Sequence, residues 1–138
     1  MFIKYMIGEK VDCSMDASKV LRAILEAEDK TDRDKEHFWV IGLTTKNAIR
    51  FIELVSLGTL TSSLIHPRET FRCAISQGIC SIVVGHNHPS GDPTPSRDDI
   101  AITKRLKAAG EIIGIELLDH VIIGEKHRFV SLKELGHL

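Results

Sequence analysis

The sequence has 138 residues, 43% hydrophobic and 27% charged, with a net charge of −1. That length and mix suit one globular domain whose core needs no disulfide staples. The charge balance argues against a global positive field of the kind that draws a protein to nucleic acid or acidic lipid.

Three cysteines, Cys13, Cys73 and Cys80, occur without a CxxC pair and are expected as reduced packing residues. With no signal-like start and no apolar run long enough to span a bilayer, a cytoplasmic protein without membrane contact is expected.

Residues 1–14 read as an extended N-terminal lead-in to a domain over 15–138. Ser14 to Lys30 predicts a helix: Val20, Leu21, Ile24 and Leu25 recur at helical spacing, and Asp16 or Ser18 can cap it. The polar stretch Asp29 to Lys35 predicts a loop. His37 to Leu43 and Ile49 to Leu57, dense in aromatic and β-branched residues, predict two strands of a hairpin. His66–Pro67 opens a second helix, with Pro67 at its first position, Gly78 at its stop, and Phe71, Ala74 and Ile75 as its buried face. The apolar run Cys80 to Gly85 predicts a central strand covered on both faces. Prolines and a glycine make 89–95 irregular. Ser96 starts a third helix expected to close at Gly110. Strands are then expected over 112–118, 120–123 and 128–132. This alternation argues for an α/β fold, a mixed β-sheet flanked by helices in a single domain.

The chemistry concentrates at residues 86–99. In an extended chain, residues i and i+2 share a face about 6.6 Å apart, so His86 and His88 can converge on one ion delivered at a strand end. The loop then returns a helix start to the pair, where Asp99 can add an oxygen ligand. Two His and one carboxylate leave the fourth position of a zinc ion open, the mark of a catalytic rather than a closed structural site. The metal would then lower the pKa of the bound water and yield a nucleophile near neutral pH. A nearby Glu can carry its proton, and Ser96 can steady a developing oxyanion. There are plainer readings of the same residues. A bare HxH is often a pair of loop histidines, and S-x-x-D ahead of an apolar-periodic helix is close to a capping box; the capping and ligand roles can coincide. Asn87 is expected to point away from the ligand face and fix the loop. His120 is expected to be structural or to support a ligand, and Lys104, Arg105 and Lys107 to form a solvated helix face.

HxH, seven residues, then SxxD is the JAMM motif of the JAB/MPN domain, complete here as His86, His88, Ser96 and Asp99. With GHNHPSGDPTPSRDD around it and LLDHVIIG at 117–124, the sequence resembles the bacterial RadC family over roughly residues 15–138. The resemblance implies a JAB/MPN architecture, similar in layout to cytidine deaminases. It implies one Zn2+ per chain on His86, His88 and Asp99, with Ser96 beside the water. It also implies an upstream catalytic Glu, matched by Glu36, with Glu53 as the fallback.

The expected function is a zinc-dependent metallopeptidase or isopeptidase acting on a peptide or protein substrate. The alternative is a non-catalytic metal-binding accessory protein in DNA repair, recombination or mobile-element biology. DNA association is suggested only by family analogy, since the helix-hairpin-helix extension of many RadC proteins is not present in these residues. The adjacent letters HNH do not match the nuclease of that name, whose three residues lie apart. The HxE and PCxxC of zinc deaminases are missing.

Overall fold

Continuous apolar runs rich in aromatic and β-branched residues produce one five-stranded mixed sheet, in the order β2-β1-β3-β4-β5. The computed structural model describes residues 6–61 and 63–138. Its elements run α1 (Ser14–Glu26), α2 (Lys30–Arg33), β1 (His37–Leu43), β2 (Ile49–Leu57), α3 (Pro67–Thr70), α4 (Arg72–Gln77), β3 (Ser81–Asn87), α5 (Arg97–Ile113), β4 (Glu116–Ile123) and β5 (Phe129–Ser131). Of the lead-in expected over 1–14, residues 1–5 lie outside the described residues. Its later part is tied to the sheet: Gly8 N–H donates to the Ile49 carbonyl at 2.8 Å and Val11 N–H to that of Asn47 at 2.8 Å.

The strands β1 and β2 form the expected antiparallel hairpin, and β3 pairs antiparallel with β1 but parallel with β4. A parallel neighbour requires a crossover, and α5 supplies it. The sheet is covered on both faces. One core gathers Leu21 and Ile24 of α1 with Trp39, Ile41 and Val83. The other gathers Phe38, Val40 and Val84 with Phe71, Ile102 and Leu106 from the helices. Strand β3 is therefore central and buried along almost its whole length, as its unbroken apolar run predicts.

Several local expectations are corrected. Helix α1 begins after Cys13, not at a side-chain cap: Asp16 accepts the Asp12 N–H at 3.0 Å, and Ser18 donates to the Met15 carbonyl at 2.7 Å. The stretch expected to be a loop contains α2, because Asp29 caps it by accepting the Asp32 N–H at 2.9 Å. The helix expected from Pro67 to Gly78 is divided at Phe71. Phe71 is fully buried and packs beside Gly110 of α5, while Cys73 and Ala74 face inward and Ile75 is 59% exposed. Cys13 and Cys80 are exposed, leaving Cys73 as the one buried thiol.

The third helix runs past Gly110 to a left-handed cap at Gly114, φ 78°. Both glycines could stop a helix, but Gly110 serves another need. A Cβ there would sit 2.3 Å from the Ile115 carbonyl oxygen, so only glycine lets the chain fold back that closely. The strands expected at 112–118 and 120–123 are accordingly one strand, β4.

Candidate metal centre

The site lies beyond the C-terminal end of β3, where β3 and β4 run parallel and α5 begins. Crevices outside the carboxyl ends of parallel strands are the usual place for ligands in α/β sheets. His86 occupies the last turn of pleat, 1% exposed, and His88 follows it out of the strand. Asp99 stands in the first turn of α5 and is 4% exposed.

His86 Nε2, His88 Nε2 and the Asp99 carboxylate converge. The two nitrogens are 3.0 Å apart; His86 Nε2 is 3.0 Å from Oδ1 and His88 Nε2 is 3.0 Å from Oδ2. These three residues can hold a metal ion.

Ser96 and Asp99 form the cap that the sequence offered beside the ligand role, and the cap leaves Asp99 among the residues that can hold a metal ion. Ser96 Oγ accepts the Asp99 N–H at 3.0 Å, and Asp99 Oδ2 accepts the Ser96 N–H at 2.8 Å, a complete capping box. The cap fixes the carboxylate while its outward edge faces the imidazoles. Ser96 Oγ uses an acceptor position in this bond, so its O–H stays available as a donor.

What occupant fits follows from where protons can sit. His88 Nδ1 lies 2.8 Å from the Asp92 carbonyl. A carbonyl only accepts, so Nδ1 carries the proton and the neutral ring turns a lone pair at Nε2 toward the centre. His86 Nδ1 is similarly engaged, 2.7 Å from His120 Nε2. Lone pairs and a carboxylate at 3.0 Å spacing repel unless a cation or a shared proton lies among them. The charges respond accordingly. Burial pushes the Asp99 carboxyl up, but protons shared with it by His86 and His88 outweigh this and hold the group far below the usual carboxylate range. His88 is raised, first by its bond to Asp99 and then by the Asp92 carbonyl and the Asp99 and Glu36 charges, against burial. His120, fully buried, is driven well below the usual histidine value by desolvation and by its neighbour His86. Phe38 closes the site on the core side, its ring stacked on His86 at 6.4 Å and edge-on to His120 at 5.9 Å.

Glu36 is half-buried immediately before β1. Phe38, two residues further on, pairs with His86 at the end of the antiparallel register, and the Glu36 charge lies near enough to His88 to raise it. Asn87 faces away from the ligands, as its position between them requires. Its Oδ1 accepts the His37 N–H at 2.6 Å and its Nδ2 donates to the Lys35 carbonyl at 3.0 Å. These two bonds bracket Glu36. Glu53 lies outside the group that can hold a metal ion. It pairs with Val40, level with Val84 and two residues down β3 from His86, and its Oε2 accepts from Arg72 at 3.1 Å.

Two contributors escaped the sequence reading. The Asp92 carbonyl holds His88 from inside the proline-rich loop, a backbone role that no residue type announces. Thr103 lies behind His120, its Oγ1 2.6 Å from His120 Nδ1. Its one available signal was its position four residues after Asp99, on the same helix face.

A mixed sheet with a His-His-carboxylate cluster at a strand end makes an α/β domain whose cluster could hold a metal ion. The RadC-like JAB domain family matches residues 11–137, and the chain belongs to that family. A UPF0758 protein of Desulforamulus reducens is 56% identical over 112 residues, covering 81% of this chain and 49% of the relative. One of Bacillus cereus strain B4264 is 47% identical over 135 residues, covering 98% of this chain and 56% of its own. One of Caldanaerobacter subterraneus is 57% identical over 103 residues, covering 75% and 44%. The chain thus spans about half the length of the curated relatives it matches. Among the described residues, no helix is long and apolar enough to cross a membrane.

Proposed function

We propose that the domain is a zinc-dependent hydrolase of peptide or isopeptide bonds. The observation that carries this reading is the 3.0 Å convergence of His86, His88 and Asp99, with the Glu36 charge near enough to raise His88. The donor set fits zinc: two imidazole nitrogens and a carboxylate are zinc-type ligands, and bonds of about 2.0–2.1 Å can span donors at this spacing. Three protein ligands leave a coordination position open. Membership of a JAB family, which includes peptidases, supports the same class of reaction.

When bound, zinc supplies Lewis acidity, making water a nucleophile near neutral pH and polarising a carbonyl. The chain's own residues do the remainder. Glu36 accepts the proton of the attacking water at its carboxylate and delivers it to the departing nitrogen. The Ser96 hydroxyl donates toward the oxygen on which charge develops, held in place by its cap bond. Asn87 keeps Glu36 from swinging away, through the bonds to the residues on either side of it. Burial of His86 and Asp99 excludes bulk water from the ligands' inner side and strengthens each of these contacts.

Metal analysis of the purified protein beside His88→Ala, with a peptide library assayed on both and on Glu36→Gln, tests the reading. The expected result is about one zinc per chain in the wild type and in Glu36→Gln, none in His88→Ala, and cleavage by the wild type alone. No zinc in the wild type, or full cleavage by Glu36→Gln, would overturn it.

A further inference from the structure

Behind the metal centre, a line of buried polar groups runs back to the helix that carries Asp99. His86 Nδ1 lies 2.7 Å from His120 Nε2, and His120 Nδ1 lies 2.6 Å from Thr103 Oγ1. Thr103 Oγ1 donates to the Asp99 backbone carbonyl at 2.9 Å. His86 is 1% exposed and the other two 0%, so solvent cannot easily replace a missing partner.

We propose that Thr103 and His120 are positioning residues that set which nitrogen of His86 is free, and thereby set the affinity of the centre for its metal. The inference rests on the metal-centre reading above.

The direction of the line is decided at its far end, because a carbonyl oxygen only accepts. With the Thr103 proton on that carbonyl, Oγ1 must accept from His120 Nδ1–H. His120 Nε2 then accepts from His86 Nδ1–H, and His86 Nε2 turns a lone pair toward the centre. The reverse order uses the same three protons. Thr103 donates to His120 Nδ1, His120 Nε2–H donates to His86 Nδ1, and His86 Nε2–H donates to Asp99 Oδ1, 3.0 Å away. Between the two orders the Thr103 hydroxyl proton turns from the Asp99 carbonyl to His120 Nδ1 and each ring changes tautomer from Nδ1–H to Nε2–H, so no group changes charge. The first order is ready for a metal; the second closes His86 against it. The bond from Thr103 to the Asp99 carbonyl favours the first. Thr103 follows Asp99 by one helical turn, so the same segment of α5 supplies the oxygen ligand and orients the histidine opposite it. Partners behind a metal-binding histidine that fix its tautomer are commonly worth 10–100-fold in metal affinity.

The test is zinc affinity by chelator competition for the wild type, Thr103→Val and Thr103→Ser, with imidazole 15N spectra of the zinc-loaded wild type and thermal melts of all three. Thr103→Val keeps the side-chain shape and removes the hydroxyl; Thr103→Ser restores it. The expected result is a 10–100-fold loss of affinity in Thr103→Val, wild-type-like affinity in Thr103→Ser, and protonated Nδ1 on both His86 and His120. Equal affinity in Thr103→Val and wild type would overturn the inference. So would an equal loss in Thr103→Ser, which would assign the effect to packing, or an Nε2 proton on His120 in the loaded protein. A wild type that takes up no zinc sinks the metal reading and this inference together. Uptake without hydrolysis of any peptide sinks only the proposed reaction.

Discussion

Replacing Asp99 with Asn separates the cap from the ligand within one side chain. The carboxylate accepts the Ser96 N–H through Oδ2 and faces His86 through Oδ1. An amide with its oxygen in the Oδ2 position keeps the cap bond. Its NH2 then points at His86 Nε2 and puts a donor where the ligands converge. The metal-free protein should therefore change in stability by no more than about 1 kcal/mol, the scale of an N-cap. Metal-linked stability should vanish. Zinc at about 100 times its Kd adds about 2.7 kcal/mol to a protein that binds it only when folded. With roughly 2.1 cal/mol/K of unfolding entropy per residue, a chain of 138 residues has about 0.29 kcal/mol/K, so that stabilisation raises Tm by about 9 °C. Thermal melts in zinc and in chelator measure this directly. The wild type should shift by about 9 °C and Asp99→Asn not at all, with chelated melting points within about 3 °C of each other. A zinc-dependent shift in Asp99→Asn equal to that of the wild type would refute the assignment of Asp99 as a ligand.

Asn87→Ala removes the partners of the His37 N–H and the Lys35 carbonyl, at a cost of about 1–3 kcal/mol. It should leave zinc uptake intact while lowering peptide cleavage toward the level of Glu36→Gln; cleavage at the wild-type rate would count against the clamp. Gly124→Ala touches no ligand, but its Cβ would meet the Gly91 carbonyl oxygen at 2.3 Å and Pro93 Cδ at 2.8 Å. The displaced loop should carry the Asp92 carbonyl off His88 Nδ1, and chelator competition should register weaker zinc binding. Burial pushes the Asp119 carboxyl above its ordinary 3.8, against hydrogen bonds from Ser131, Lys133 and His120. A raised folded pKa means the native state holds this proton more tightly than the unfolded chain. Its effect on stability is therefore constant below 3.8, becomes unfavourable as pH rises through the raised value, and is constant again above it. Urea midpoints of the wild type relative to Asp119→Asn should fall across that window; a relative rise would refute the sign.

The elements that rest on local signals were legible in the sequence. The aromatic and β-branched density of β1 and β2, the apolar run of β3, the Ser96 start of α5 and the HxH pair all depend on residues within a few positions of one another. Where two local signals competed, packing chose between them. Gly110 and Gly114 could each end α5; the close return of Ile115 made Gly110 a contact and left Gly114 as the cap. The plausible continuous helix divides at Phe71, which is buried beside Gly110 of α5.

At the site, the sequence determined the ligand types and their spacing, and the resemblance singled out Glu36. Only the tertiary structure decided what surrounds them. The start of β1 puts the Glu36 charge near His88, and β2 leaves Glu53 beside Arg72. Asn87 reaches His37, 50 positions away in the chain, and His86 reaches His120, 34 positions away. The Asp92 carbonyl orients His88 through an atom every residue possesses. Periodicity and capping are short-range properties of the chain, whereas these partners are fixed by sheet register and by which backbone oxygen a buried ring happens to meet.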